Sequence, residues 1–304
     1  MIRAFLIAGL LSIAVPAHAQ VAPEVCQAVW DRAMGLVPDG TARAEIEADG
    51  PDCVARNAVL LDGAGAGEIA ADVIRWSGQG LEDFASDLVP PRALILTAEG
   101  LSLLTLTGEP TYDYVNRARQ VQKKVSLHFE ARWDELTGRF VLDVLDIDFP
   151  GENQIRIVAR AEGADLSSLP AMAASFVNLS VTELTIDVTS NGLFENVALE
   201  PILRSMARVG QAPEEAMARL VDEALGAVAS VPDDLLSGPS KEALAAFLPT
   251  LPAPQGALRL SVAADPPLNL RSGLAARMLP GLSPEARFQG LGVTILYEPT
   301  AEVP

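Results

Sequence analysis

The stretch DIDFPGEN, residues 146 to 153, has the residue types of a metal-binding loop. Two alternating aspartates are followed by a glutamate and an asparagine, and calcium is bound in proteins by oxygen ligands of this kind. An EF-hand loop that begins at Asp146 needs an oxygen ligand at its fifth position and a bidentate glutamate at its twelfth. Those positions hold Pro150 and Ile157. The sequence therefore predicts no calcium site here, and we expect no metal or other cofactor.

The same stretch has the features of a β-hairpin. Pro-Gly is a turn signal, and apolar and polar residues alternate on both sides of it. A shift of one residue would turn every side chain to the other face, so only registers that differ by two residues keep the apolar faces together. Two nearby registers meet this condition. One places Arg156 opposite Asp148, and the other places it opposite Asp146. In either register a cross-strand ion pair accounts for the carboxylates.

No other stretch has the pattern of a catalytic site. His128 is the only histidine beyond residue 19, so multi-histidine metal sites are excluded and a serine triad would depend on it alone. No GxSxG nucleophile elbow is present. The glycine-rich run DGAGAGE, residues 62 to 68, lacks the lysine of a P-loop and the spacing of a dinucleotide-binding turn. The sequence thus predicts no catalytic residues and a protein that is not an enzyme.

The elements that would position these residues are β-strands in the middle of the chain. From Val125 onward, residues alternate between apolar and polar in VSLHFEARWD, VLDVLDIDF, QIRIVARAEG and LTIDVTSNG. Strict alternation predicts an antiparallel sheet with one apolar and one polar face. EIAADVIRW and RALILTAEGLSLLTLTG are expected to be earlier strands of the same sheet.

The last third of the chain changes to a helical period. NVALEPILRSMARVG and APEEAMARLVDEALGAVASVP each have an apolar stripe at helical spacing, and SKEALAAFLPTL predicts a third helix with Ser240 as its cap. The strand pattern returns in GALRLSVAADPP and GLGVTILYEP. The predicted fold class is α+β, a long antiparallel β-sheet with C-terminal amphipathic helices packed on its apolar face.

Cysteine placement and the N-terminus predict export. Residues 1–19 have one arginine, an apolar run and the cleavage pattern Ala17-His18-Ala19, which is typical of a secretory signal peptide. Gln20 follows, so we expect no lipid anchor, and no later segment is apolar for long enough to span a membrane. In an oxidising compartment, Cys26 and Cys53 are expected to form a disulfide. The predicted location is the periplasm, with cleavage after Ala19.

Four segments follow from these patterns. They are a signal peptide at 1–19, an N-terminal helical segment closed by the disulfide at 20–60, an antiparallel sheet region at 61–190, and a helical region with two returning strands at 191–304. The helix of the second segment is expected to begin at Pro23, and the last two segments are expected to form one composite domain.

Composition excludes some partners. The formal net charge is −18, and hydrophobic residues make up 49% of the chain. Nucleic acid needs a basic protein surface, so we expect no nucleic-acid partner. The hydrophobic content is sufficient for a substantial core.

The order of elements resembles a known group of proteins. Long amphipathic strands, then NGL, two helices, LPAPQGALRLSVAADPP and a terminal LGVTILYEP are similar to poorly characterised bacterial periplasmic and envelope families with extended amphipathic β-sheets, related to AsmA-like proteins. The resemblance covers about residues 66 to 299. It implies an apolar sheet face that holds or conducts lipid. This chain differs from those families in its short length and in its predicted cleaved signal peptide.

Two functions are compatible with these features. One is a non-enzymatic binder of a lipid or another amphiphile on an open apolar sheet face. The other is a structural or partner-binding envelope protein whose apolar face is fully covered and whose partner is another envelope protein. The candidate ligand-binding residues share the apolar parity of their strands: Leu127, Phe129, Trp133, Leu145, Ile147, Ile157, Leu184 and Ile186.

Overall fold

A computed structural model describes most of the chain beyond residue 19. The described ranges are 20–37, 40–61, 67–105, 107–120, 123–197, 199, 212–269 and 289–300. The predicted signal peptide lies outside them.

The fold is built on one ten-stranded antiparallel sheet in which each strand pairs with the next along the chain. This confirms the predicted antiparallel sheet with additional helices. The strands are β1 (Thr41–Asp49), β2 (Asp52–Leu61), β3 (Gly67–Gln79), β4 (Ala93–Thr105), β5 (Val125–Asp134), β6 (Arg139–Phe149), β7 (Asn153–Glu162), β8 (Ser180–Asn191), β9 (Gln255–Asn269) and β10 (Leu291–Pro299).

Seven α-helices are described. They are α1 (Pro23–Gly35), α2 (Leu81–Asp87), α3 (Pro110–Gln120), α4 (Leu169–Phe176), α5 (Leu193–Val197), α6 (Pro213–Ser230) and α7 (Gly238–Phe247), and a 3-10 turn (Leu248–Thr250) follows α7. Because strand direction alternates, the connections alternate between two ends of the sheet. Helices α2 and α4 lie in connections at one end, which we call the α2 end. Helices α3, α5, α6 and α7 lie in connections at the opposite end, the α3 end.

Alternation along the strands keeps apolar side chains on one face of the sheet. A β-bulge in β6 preserves this pattern where the sequence breaks it. Glu130 pairs with Val144 but Ala131 pairs with Leu142, so Asp143 is left without an opposite residue on β5. The extra residue brings Leu142 to the same face as residue 145, although the two positions differ by three.

Helices α1 and α2 cover the apolar face at the β1–β3 side. The predicted disulfide is confirmed, since Cys26 of α1 is bonded to Cys53 of β2. Both cysteines are buried with Trp76 of β3 and Phe84 of α2 in one core cluster. Trp30 of α1 stacks on Trp76 with ring centroids 6.4 Å apart. The disulfide thus fastens a helix onto the sheet.

A second core cluster closes the α2 end of the β5–β8 region. Trp133 is buried there with Ala161, Ala164 and Leu179, and Met172 of α4 packs against this group. The indole N–H of Trp133 donates to the carbonyl oxygen of Ala164 at 3.1 Å. The connection that contains α4 therefore folds back over the ends of these strands.

Helix α7 lies against β10, the last strand of the sheet. Leu236, just before α7, forms a parallel bridge with Val293. The buried hydroxyl of Ser240 accepts a hydrogen bond from the backbone N–H of Ile295 at 3.0 Å. The sequence-based assignment of Ser240 as a helix cap is wrong, because α7 begins at Gly238 and Ser240 is needed at the strand edge instead. These contacts satisfy part of an edge that would otherwise be open to pairing.

Several predicted elements differ in extent from the structure. The segment 20–60, predicted as a helical segment closed by the disulfide, contains α1 but also β1 and all but the last residue of β2. Helix α6 confirms the helix predicted in APEEAMARLVDEALGAVASVP. Most of the helix predicted in NVALEPILRSMARVG lies outside the described residues. The packing of the C-terminal helices across the apolar face stays a prediction.

Candidate functional site

The carboxylates of DIDFPGEN are held by neighbouring strands. The predicted hairpin is confirmed, and of the two registers considered the structure has Asp146 opposite Arg156. Arg156 Nη2 donates to Asp146 Oδ2 at 3.0 Å, and Gln154 Nε2 donates to Asp148 Oδ1 at 2.9 Å. These carboxylates therefore serve the pairing of β6 with β7.

The ion pair at Asp146 belongs to a longer ladder on the polar face. In register across four strands lie Asp146, Arg156, Asp187 and Arg259, with charges that alternate in sign. Arg259 donates to Asp187 through two guanidinium nitrogens. This carboxylate raises the pKa of Arg259. The polar face is thus cross-linked by compensated charges, an arrangement typical of a solvated sheet face.

The hairpin tip is fixed by Asn153. Its buried side-chain amide donates to the carbonyl oxygens of Pro150 and Asn191 at 2.7 and 3.1 Å, and its Oδ1 accepts from the backbone N–H of Asn191. These bonds join the tip of the β6–β7 hairpin to the end of β8. The asparagine that looked like a metal ligand in the sequence is therefore a structural residue.

His128 lies on the same polar face, opposite Asp146 in the register of β5 and β6. Its Nε2 is 2.9 Å from Glu130 Oε1 on its own strand. Within the described ranges, no three His, Cys, Asp or Glu side chains lie close enough together to hold a metal ion. Most of the glycine-rich run at 62–68 lies outside the described residues, and its last two residues open β3.

The apolar face carries a row of side chains that crosses all ten strands. Each residue of this central row is the register partner of the next. In strand order the row is Ala48, Cys53, Trp76, Leu96, Phe129, Leu145, Ile157, Ile186, Leu260 and Ile295.

Burial along the central row is not uniform. Cys53 and Trp76, next to α1 and α2, are buried, and so is Ile295 beside α7. The six residues between them, on β4 to β9, are all half-buried. Half-burial fits a face without a packed layer above it, because neighbouring strands about 4.8 Å away already cover the sides of every side chain. His128 and Asp146 on the polar face have the same intermediate burial.

We call the half-buried part of this face the apolar band. Its members on β4 to β9 are the six residues of the central row, the large apolar residues of the next row toward the α3 end, and Leu184 of the next row toward the α2 end: Leu96, Leu127, Phe129, Leu145, Ile147, Ile155, Ile157, Leu184, Ile186, Val188, Leu258 and Leu260. Of the described helices, α1 contacts β1 and β2 and α7 contacts β10, and the contacts with strands of the band are those of α3 with β4 and of α5 with β8. With strand spacings of about 4.8 Å, six strands make the band about 24 Å wide.

The structure brings seven of the eight sequence-predicted residues into this band. Leu127 pairs with Ile147, and Phe129 pairs with Leu145. Ile157 connects Leu145 to Ile186 across β7. Leu184 lies one row further toward the α2 end.

Trp133 is the exception among the predicted residues. It is buried in the cluster beneath α4, and its only polar atom is already bonded to Ala164. The strand pattern alone assigns Trp133 to the apolar face, but it contains no information on the connection that covers it.

Sequence reasoning left out five members of the band. Ile155, Val188 and Leu258 alternate with polar neighbours as clearly as the residues that were chosen, and so does Leu260. Leu96 lies in the run ALILT, where apolar residues are consecutive and parity cannot be read. The signal for the first four was present in the alternation.

Comparisons with known proteins add no assignment. Among the residues that the structure describes, no helix combines the length and apolar character needed to cross a bilayer. The chain matches no protein-family model, and no curated protein is similar enough to it to count as a relative.

Proposed function

We propose that this protein is an exported, non-enzymatic envelope protein that binds a lipid or another long-chain amphiphile on the apolar band. The observation that carries the proposal is the change in burial along the central row. In that row the residues on β2, β3 and β10 are buried, and the six residues on β4 to β9 are half-buried. A contiguous apolar surface of this size on a folded protein is typical of a binding surface.

Export is supported by two independent features. The first 19 residues have the pattern of a signal peptide, and the disulfide of α1 and β2 suits an oxidising compartment. The periplasm is the compartment that we propose. The resemblance to AsmA-like families favours the same location and the same class of ligand.

The energy of binding favours ligands with long or paired apolar chains. Full burial of a methylene group contributes about 0.8 kcal/mol, and a chain that lies on an open face buries roughly half of its surface. Ten methylene groups then contribute about 4 kcal/mol, which barely offsets the lost freedom of binding, estimated at 4 kcal/mol or more. Short fatty acids are therefore expected to bind weakly. Diacyl lipids, or a chain covered by a C-terminal helix, reach useful affinity.

The proposal is tested by adjacent substitutions on opposite faces of β8. Ile186→Asp places a charge within the apolar band, whereas Thr185→Asp places the same charge on the polar face beside Ser261. A hydrophobic fluorescent probe is expected to bind the native protein saturably and to be displaced by a long-chain phospholipid. Ile186→Asp should abolish this binding, and Thr185→Asp should retain it.

Two results would contradict the proposal. Absence of probe binding in a folded wild-type sample would favour the second function, a structural protein with a covered core. Equal loss of binding in both variants would show that the probe does not report on the band.

A further inference from the structure

The fold anchors the chain from Val21 onward and leaves the residue before it exposed. The backbone N–H of Val21 donates to the carbonyl oxygen of Gly50 at 3.0 Å, in the turn between β1 and β2. The side chain of Val21 packs against the core cluster that contains the disulfide. Gln20 itself is exposed, and within the described ranges its carboxamide takes part in no hydrogen bond.

The same exposed residue is the predicted first residue of the exported chain. The cleavage pattern Ala17-His18-Ala19 places the cut directly before Gln20. This cut gives Gln20 a free α-amine beside its own carboxamide. The inference therefore rests on the export that we propose, because the amine exists only after cleavage. It does not depend on the apolar band.

We infer that Gln20 is a modification site at which the new N-terminus closes to pyroglutamate. The α-amine nitrogen attacks Cδ of the carboxamide, so that an N–Cδ bond forms and the Cδ–Nε2 bond breaks. The departing nitrogen takes the proton that the amine loses and leaves as ammonia. The step needs no oxidant, reductant or other co-reactant. The N–H of Val21 takes no part in it and keeps its bond to Gly50.

Ring closure changes the charge and the chemistry of the N-terminus. It replaces the α-ammonium group by a neutral lactam, as other N-terminal modifications remove the terminal charge. Helix α1 begins at Pro23, and the positive end of its dipole disfavours a cation close to it, whereas Glu24 in its first turn is favoured there. The lactam also lacks the free α-amine that aminopeptidases require. The chain is thus closed directly before the segment that the disulfide fastens to the sheet.

The experiment measures the mass and the first residue of the exported protein. The full chain is expressed with residues 1–19 encoded, and the exported form is purified. Its intact mass is recorded before digestion, because an N-terminal glutamine also cyclises during sample handling. The reduced tryptic peptide 20–32 is then fragmented, and a synthetic peptide of the same sequence is carried through the procedure in parallel. That peptide also contains Gln27, an internal glutamine without a free amine.

The exported chain is expected to begin at Gln20 and to be lighter than its sequence by one ammonia. Fragmentation should locate the loss at Gln20 and not at Gln27. The matched control is Gln20→Asn, whose side chain is one methylene shorter, so the corresponding ring is a strained β-lactam and the variant should keep its full mass. After treatment with an aminopeptidase, wild type should retain its first residue and Gln20→Asn should lose it.

Two results would overturn the inference while leaving the proposed export intact. One is an intact exported protein that begins with an open Gln20, and the other is equal trimming of wild type and Gln20→Asn. A chain that begins at another residue would contradict the predicted cleavage site and the inference together. Probe binding to the apolar band is expected to be the same in wild type and Gln20→Asn, so the proposed ligand site is tested separately.

Discussion

The substitution Leu145→Asp distinguishes an open apolar band from a sealed core. Leu145 is half-buried between Phe129 and Ile157, its register partners on β5 and β7. A fully buried leucine contributes about 1.5–3 kcal/mol, so loss of this half-buried side chain should cost about 1 kcal/mol. The new carboxylate reaches water on the open side and avoids the penalty of a buried, unpaired charge. We expect a total destabilisation of about 1–2 kcal/mol, or a few degrees in melting temperature.

Ala55→Asp is the matched control for this substitution. Ala55 is fully buried on the same face, in the core cluster with Cys26 and Phe84 beneath α1 and α2. The same charge placed there is buried without a partner, so the variant should lose at least about 4 kcal/mol or fail to fold. The assay is urea denaturation followed by circular dichroism. If Leu145→Asp is destabilised as strongly as Ala55→Asp, the band is part of a closed core and the reasoning is refuted.

Three further changes test the structural assignments. Asn153→Ala should cost about 2–3 kcal/mol, because it removes the buried side-chain amide and its bonds to the backbone of Pro150 and Asn191, at about 1 kcal/mol each. Gln154→Ala, on the exposed side of the same turn, should cost far less in the same urea titration. Hydrogen bonds from the backbone of Thr107 lower the pKa of Asp113. The stability that Asp113 contributes is therefore present above the ordinary carboxyl pKa of about 3.9 and is lost as the pH falls through the lower folded value. The difference in melting temperature between wild type and Asp113→Ala should be full near neutral pH and disappear in stronger acid, and a difference independent of pH would contradict this assignment. Reduction of the Cys26–Cys53 bridge, which spans 27 residues, should lower stability by about 3.5 kcal/mol in the chain-entropy model, and titration of unreduced, denatured protein should find no free thiol.

Local alternation was sufficient to predict the central strands. Apolar and polar residues alternate over most of β5 to β8, so parity, hairpin position and the pairing of Arg156 with an aspartate could be read from the sequence. The register itself could not be chosen, because a shift of two residues preserves parity and both partners of Arg156 are aspartates. The β-bulge at Asp143 adds to this ambiguity.

Elements with weak apolar content were missed. β1 alternates, but three of its four inward residues are alanines (Ala42, Ala44 and Ala48), which give little contrast with the charged residues between them. Helix α3 has few apolar residues, and these face solvent. Its sequence therefore lacks the apolar stripe from which a core-facing helix is predicted. Both elements can be recognised only from the neighbouring elements that they contact in the fold.

Coverage of the apolar face depends on long-range contacts that no local pattern encodes. Trp133 and Leu145 have the same parity and similar surroundings in the sequence, yet the connection containing α4 buries one and leaves the other half-buried. Ser240 has the local features of a helix cap, but its hydroxyl is bonded to a strand 55 residues away. The site is therefore predictable as a set of residues on one face and not as an open or covered surface.

Native mass spectrometry of the purified full chain tests the central claim most directly. Wild-type protein purified without detergent is expected to carry a fraction with the added mass of a phospholipid or another long-chain amphiphile. Ile186→Asp should lose that fraction, and Thr185→Asp, with the same charge one residue away, should keep it. A wild-type spectrum with the mass of the chain alone, under conditions that preserve a known lipid complex measured in parallel, would contradict the account.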